Sequence, residues 1–193
     1  MIEVHSRALT VDAASVEAAL AQLRVQPQVQ AHALTRSLLT LQVELMPESM
    51  QHARAGGPGE GCSTPGSERA RSVDCRREAC RLSDFKVQLR IDLMLPEWQP
   101  SRRPAVGEQA LWQALHARLL AHEQRHREHA EAATQRLHEQ LESRLDRVES
   151  FDCLRLQTDI EALRHAAIQD LRLRDRIFDQ SSEEALQVRR TQR

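Results

Sequence analysis

Apolar and polar residues alternate between Arg81 and Leu95. Val87, Leu89, Ile91, Leu93 and Leu95 are interleaved with Lys86, Gln88, Arg90, Asp92 and Met94. A period of two with one polar face predicts a β-strand. Ser37 to Leu45 (SLLTLQVEL) alternates well enough for a second strand, which Pro47 is expected to end. Ser15 to Leu23 (SVEAALAQL) reads as a short helix with a Ser or Asp cap. From about Glu108 to Glu149 the spacing becomes three and four. Leu111, Leu115, Leu119, His122, His126, Ala130, Ala133, Leu137, Leu141, Leu145 and Val148 fall on one stripe, the mark of a long amphipathic helix. A second helix is expected from roughly Cys153 to Ile177, with Leu156, Ile160, Leu163, Ala167, Leu171 and Arg174 on its stripe. Two such helices predict an antiparallel pair joined near Ser150. The last dozen residues are polar and are expected to fray.

Breaks divide these elements. Residues 50–72 hold Gly56, Gly57, Gly59, Gly61 and Gly66 with Pro58 and Pro65, and read as an inserted loop. Pro96, Pro100 and Pro104 are expected to punctuate a linker. The length suits one domain over 1–193. Its expected parts are a helix and strand region (1–49), the Gly/Pro-rich loop (50–72), a strand region (73–98) and a helical hairpin with its tail (105–193).

Composition sharpens this only in places. Aromatic residues make up 3% of the chain, so Leu, Ala and Val must do most of the packing. A net charge of −1 gives no global attraction to nucleic acid. No apolar run approaches the roughly 20 residues of a membrane span. The N-terminus, Met-Ile-Glu-Val-His-Ser-Arg, does not read as a signal peptide. The cysteines point the other way. Cys62, Cys75, Cys80 and Cys153 are even in number and lack the spacing of a paired Cys-x-x-Cys zinc site. Two disulfides, Cys80–Cys153 and Cys62–Cys75, are the expectation, in a periplasmic or secreted protein whose leader is absent from this sequence. Four reduced thiols in a cytoplasmic protein are the alternative.

The chemistry centres on Leu119-Leu-Ala-His122-Glu123-Gln-Arg-His126-Arg-Glu-His129, which contains His-Glu-x-x-His. Histidines four apart on a helix point the same way and can give one metal ion a nitrogen each. The intervening Glu then lies beside the ion, placed to take a proton from water. Random placement predicts about 0.04 such matches in a chain of this composition, so context must decide. The histidines fall within the apolar stripe, where a polar group is costly without a partner. A metal is one such partner. Carboxylates of the second helix are another. Glu123 is the candidate general base, against the plainer reading of an exposed charge on a charged helix. A catalytic zinc wants a third protein ligand. His129 is one candidate. Asp152, Asp159, Glu161, His165, Asp179, Glu183 and Glu184 are others, and spacing does not choose among them.

Cys80 leads into an alternating strand that ends in Leu95-Pro96-Glu97-Trp98, and Trp112 stands about ten residues before the His-Glu motif. In that order the chain resembles a family of bacterial, mostly secreted or periplasmic proteins. The family is catalogued as a domain of unknown function and described as zinc-dependent proteases. The resemblance runs from Cys80 through Ala130, extends to the Cys153 helix, and is weaker in the N-terminal strands. It implies a zincin-like α+β fold, a small antiparallel sheet packed on the long His-Glu-x-x-His helix and a second C-terminal helix. It also implies Zn2+ on His122 and His126, with Glu123 as general base. Two positions depart. Arg125 stands where members often have Gly. Many members end in a segment like Tyr-Asp-x-x-Thr-x-His-Gly, and Glu184 falls at its histidine, in Phe178-Asp179-Gln-Ser-Ser182-Glu183-Glu184-Ala185. Glu184 is therefore the expected third ligand.

The leading expectation is a zinc-dependent metallopeptidase acting on a peptide or protein substrate. No Tyr is present, so a His or Arg, for instance His165 or His129, would serve the oxyanion. The alternatives are an inactive zincin-like binding or scaffold protein of the cell envelope, and a helical hairpin with an accidental motif.

Overall fold

The computed structural model describes residues 1–25, 34–47, 79–145 and 151–191, with side chains for all of these except 24, 25, 151 and 183–191. The elements are β1 (Ile2–Ala13), α1 (Val16–Val25), β2 (Leu34–Pro47), β3 (Ala79–Pro100), α2 (Glu108–Leu145), β4 (Phe151–Asp152) and α3 (Cys153–Thr191). The class is α+β, as expected. The expected helix at 15–23 and strands at 37–45 and 81–95 are all present. The loop at 50–72, with Cys62 and Cys75, lies outside the described residues.

The sheet order is β1-β3-β2, with β4 on the far end of β3. The expected antiparallel sheet is a mixed one. β1 runs parallel to β3 over twelve residues, from Ile2↔Leu89 to Ala13↔Pro100. Ser83 donates to the Glu44 carbonyl and Arg81 reaches Met46, so β2 runs against β3. Alternation marks a strand and carries no direction. The chain between β1 and β3, with α1 and β2 in it, is long enough to bring β3 back parallel.

The expected linker prolines are also corrected, since Pro96 and Pro100 belong to β3. Leu89 N–H donates to Met1 O and Ser101 N–H to Ala13 O. Odd-numbered residues of β3 therefore face the β1 ladder, and the even-numbered prolines interrupt no bond of it.

The chain gathers into two compact units. One comprises residues 1–40, 88–135 and 168–193, and the other comprises 41–87 and 136–167. In the first, the two faces of β3 serve two cores. Leu89 and Ile91 pack with Ala130 and Ala133 of α2 and Leu171 of α3. Trp98, on the opposite parity, packs with Val11, Ala13 and the Val16, Ala19 and Leu23 stripe of α1. Trp98 Nε1 donates to Ala13 O at 2.9 Å, and its ring centroid is 5.8 Å from that of Trp112. The Leu-Pro-x-Trp segment and Trp112 thus fasten the sheet to the first turns of α2.

In the second unit, Cys80, Leu82, Val87, Leu137, Leu141, Leu156 and Ile160 are buried. Cys80 and Cys153 form the expected disulfide, beside the antiparallel pair Cys80↔Phe151.

Local chemistry sets the helix ends. Ser15 Oγ accepts from Ala18 N–H, and Asp152 Oδ1 accepts from Leu154 and Arg155 N–H; both are N-caps. Gly107, at φ 91°, takes the left-handed turn that opens α2. Helix α3 runs past the expected end at Ile177 and takes in the segment expected to fray. After Gly107 the chain has neither Gly nor Pro to stop it.

Candidate metal centre

The site is built in the first unit, from α2, α3 and the start of β2. His122, His126 and His129 follow spacings of four and three, so all three rings lie on one side of α2. On α3, the inward positions after Leu171 are Asp175, Phe178 and Asp179. That corrects the expected stripe: Arg174 is exposed and pairs with Asp170, and Asp175 takes the inward position. Asp175 and Asp179 are one turn apart, as His122 and His126 are. The two helices run opposite ways, so each aspartate meets one end of the histidine row.

The contacts are close. His122 Nε2 and His126 Nε2 are 3.1 Å apart, and Asp179 Oδ1 lies 3.2 Å from the first and 3.0 Å from the second. These three residues form a group that can hold a metal ion. An ion 2.0–2.1 Å from donors at tetrahedral angles spaces them about 3.3 Å apart. The observed triangle is within a few tenths of an ångström of that. Two neutral-capable imidazoles and a carboxylate are also the donor set of a hydrolytic zinc site. On the other side of the His126 ring, Asp175 Oδ1 is 2.9 Å from His126 Nδ1 and 2.9 Å from His129 Nδ1. Phe178 stacks on His122 with ring centroids 4.7 Å apart and meets His126 edge-on at 5.4 Å.

Glu123 is not the exposed charge of the plainer reading. It is 3% exposed, and Thr35 Oγ1, on β2, donates to its Oε2 at 2.6 Å. Burial opposes protonation of His126. The hydrogen bond to Asp175 and the charges of Asp175, Asp179 and Glu123 outweigh it and raise the pKa above the usual histidine value.

The expected site residues fare unevenly. His122 and His126 come together, with Glu123 beside them in the same turn. His129 joins through Asp175, outside the His122–His126–Asp179 triangle. His165 belongs to the second unit and to neither metal-competent group of the described residues. The side chains of Glu183 and Glu184 lie outside the described residues. Asp152 caps α3, Glu161 pairs with Arg164, and Asp159 is in neither metal-competent group, so of the expected carboxylates with described side chains Asp179 is the one brought to the histidines. Sequence reasoning missed Asp175 and Thr35. The first had a signal: Asp-x-x-x-Asp on the facing helix mirrors His-x-x-x-His. Thr35 had none, because its partner is 88 residues away.

A family model described as "Bacterial protein of unknown function (DUF922)" matches residues 49–185. No curated protein and no solved structure matches.

Proposed function

The chain belongs to the bacterial DUF922 family, and we propose that it is a zinc-dependent metallopeptidase with a zincin-like fold that works outside the cytoplasm. The observation that carries the reading is the triangle of His122 Nε2, His126 Nε2 and Asp179 Oδ1, with edges of 3.0–3.2 Å, on the His-Glu-x-x-His helix. His122, His126 and Asp179 would hold the ion. Glu184 stays a second candidate for the third ligand, from the resemblance of the tail. Zinc bound there supplies a Lewis acid that brings the pKa of water toward neutrality and polarises a carbonyl. Glu123 is the general base. Thr35 engages its Oε2, so Oε1 accepts the proton of the attacking water and later gives it to the leaving amine. Burial of this carboxylate beside the histidines keeps solvent from competing for that proton. His129 is the candidate to steady the developing oxyanion. The Cys80–Cys153 disulfide supports a periplasmic or secreted location. No helix among the described residues is long and apolar enough to cross a membrane.

A second reading has one observation in its favour. Glu184 replaces the histidine that the resemblance places in the tail, as in a binding or scaffold protein that keeps the zincin shape without hydrolysis.

Wild type and two variants separate these ideas. Protein purified without added metal should carry about one zinc per chain by elemental analysis. His122→Ala/His126→Ala should carry none. Glu123→Gln should keep its zinc and lose at least about 10²-fold of its activity on a broad peptide library. Wild type free of zinc after incubation with it sinks the metal reading. Zinc present, with wild type and Glu123→Gln equally inactive, leaves the scaffold.

A further inference from the structure

The metal reading uses one of the two aspartates that α3 presents to the histidines. The other, Asp175, is within 2.9 Å of Nδ1 on both His126 and His129, through the same Oδ1. Geometry decides what this second group is. Donors around a zinc ion stand about 3.3 Å apart, whereas a hydrogen bond to a charged acceptor runs 2.7–2.9 Å. The spacing is that of two N–H···O bonds converging on one oxygen. A carboxylate only accepts, so each Nδ1 carries the hydrogen. In the neutral ring of His126 this leaves the lone pair on Nε2. That is the atom 3.1 Å from His122 Nε2 and 3.0 Å from Asp179 Oδ1. The His126 side chain is 13% exposed and that of Asp175 29%, so these bonds are partly shielded from water.

We propose that Asp175 is the positioning residue of the metal centre: it fixes His126 as the Nδ1–H tautomer with Nε2 presented to the ion, and ties His129 to the same oxygen. The proposal rests on the metal reading given above. Among the described residues no carboxylate contact is seen at Nδ1 of His122, whose ring stacks on Phe178. Asp179 lies on the Nε2 side of both rings, so among the described contacts Asp175 is the carboxylate that holds a hydrogen on Nδ1. A carboxylate behind a metal-bound histidine orients the ring and raises its basicity, and losing one commonly costs 10–100-fold in metal affinity.

The test uses Asp175→Asn and Asp175→Ala. Zinc affinity is read by competition with a chromophoric chelator, and the tautomer of His126 by histidine 15N NMR of the metal-free proteins. At a pH alkaline enough to leave the ring neutral, wild type should show His126 as the Nδ1–H form, and both variants should lose that preference. Both should bind zinc about 10–100-fold more weakly, at unchanged stoichiometry. Asp175→Asn retains the shape of the side chain, so it separates lost packing from lost orientation. Unchanged zinc affinity in both variants overturns the proposal, even if metal-free stability falls, because that pattern means a purely structural aspartate. Retention of the Nδ1–H form in both variants overturns it as well. If wild type takes up no zinc, the metal reading fails on its own, and the tautomer comparison still decides the role of Asp175.

Discussion

Glu123 is where the His-Glu-x-x-His helix departs most from an ordinary charged surface. A carboxylate this buried is costly to keep unless a donor satisfies it, and Thr35 Oγ1 is the donor, at 2.6 Å. Thr35→Val keeps the shape and removes the hydroxyl. It should destabilise the protein by about 1–3 kcal/mol, since it leaves a buried acceptor unpaired. In a Glu123→Gln background the cost should shrink. Urea denaturation of the four proteins of this double-mutant cycle gives the coupling, and strict additivity would mean that the bond does not hold Glu123. His126 makes a prediction in pH. Its pKa is raised in the fold, so in metal-free protein its protonated form contributes stability that is full below about pH 6.5 and is lost as pH rises through the folded value. Zinc requires the neutral ring. The gain in Tm from saturating zinc should therefore grow from about pH 6 to pH 8. Calorimetry with and without zinc measures it, and a gain that stays flat or falls with pH would remove His126 from the ligand set.

At the scale of elements, the parts of the chain with an unbroken period were legible. The stripe from Leu119 to Leu141 gave α2 with its histidines already facing inward, because burial and spacing of three and four are one fact seen twice. The alternation of Val87, Leu89 and Ile91 gave β3 for the same reason. What escaped was what periodicity does not encode. Ile2-Glu3-Val4-His5 alternates too, but β1 is an edge strand with Ile2 and Val4 exposed, so the pattern carries little burial signal. Pro96 reads as a break until the parity of the ladder is known, and parity depends on which strand lies alongside. Buried positions on β3 also change parity between Ile91 and Trp98, since one face meets α2 and α3 and the other meets α1. The candidate site follows the same rule. His122, Glu123 and His126 are set by one helix and could be read from it. Asp175, Asp179 and Thr35 reach the site only through the packing of α3 and β2, and sequence offered Asp179 as one acid among several.

At the scale of the whole molecule, the Cys80–Cys153 bond spans 73 residues of sequence, and all of α2 with its His-Glu motif lies inside the closed loop. A cross-link of that span removes much of the freedom of the unfolded chain. Loop-closure arithmetic puts its contribution at about 4 kcal/mol. The bond joins the start of β3 to the first residue of α3, next to the short β3–β4 pairing. It therefore fixes where α3 begins, one residue after its Asp152 cap. Leu82, Leu137 and Leu141 are buried in the same unit, so this end of the fold has a hydrophobic contribution of its own. Cys80→Ser/Cys153→Ser should accordingly fold, with a lower urea midpoint and a stability loss of up to about 4 kcal/mol. Wild type and variant, both unfolded with a thiol reductant present, should match, because both then lack every disulfide. Equal midpoints for oxidised wild type and the double variant would show that the closed loop contributes nothing. They would also remove the disulfide as a reason to place the protein in an oxidising compartment.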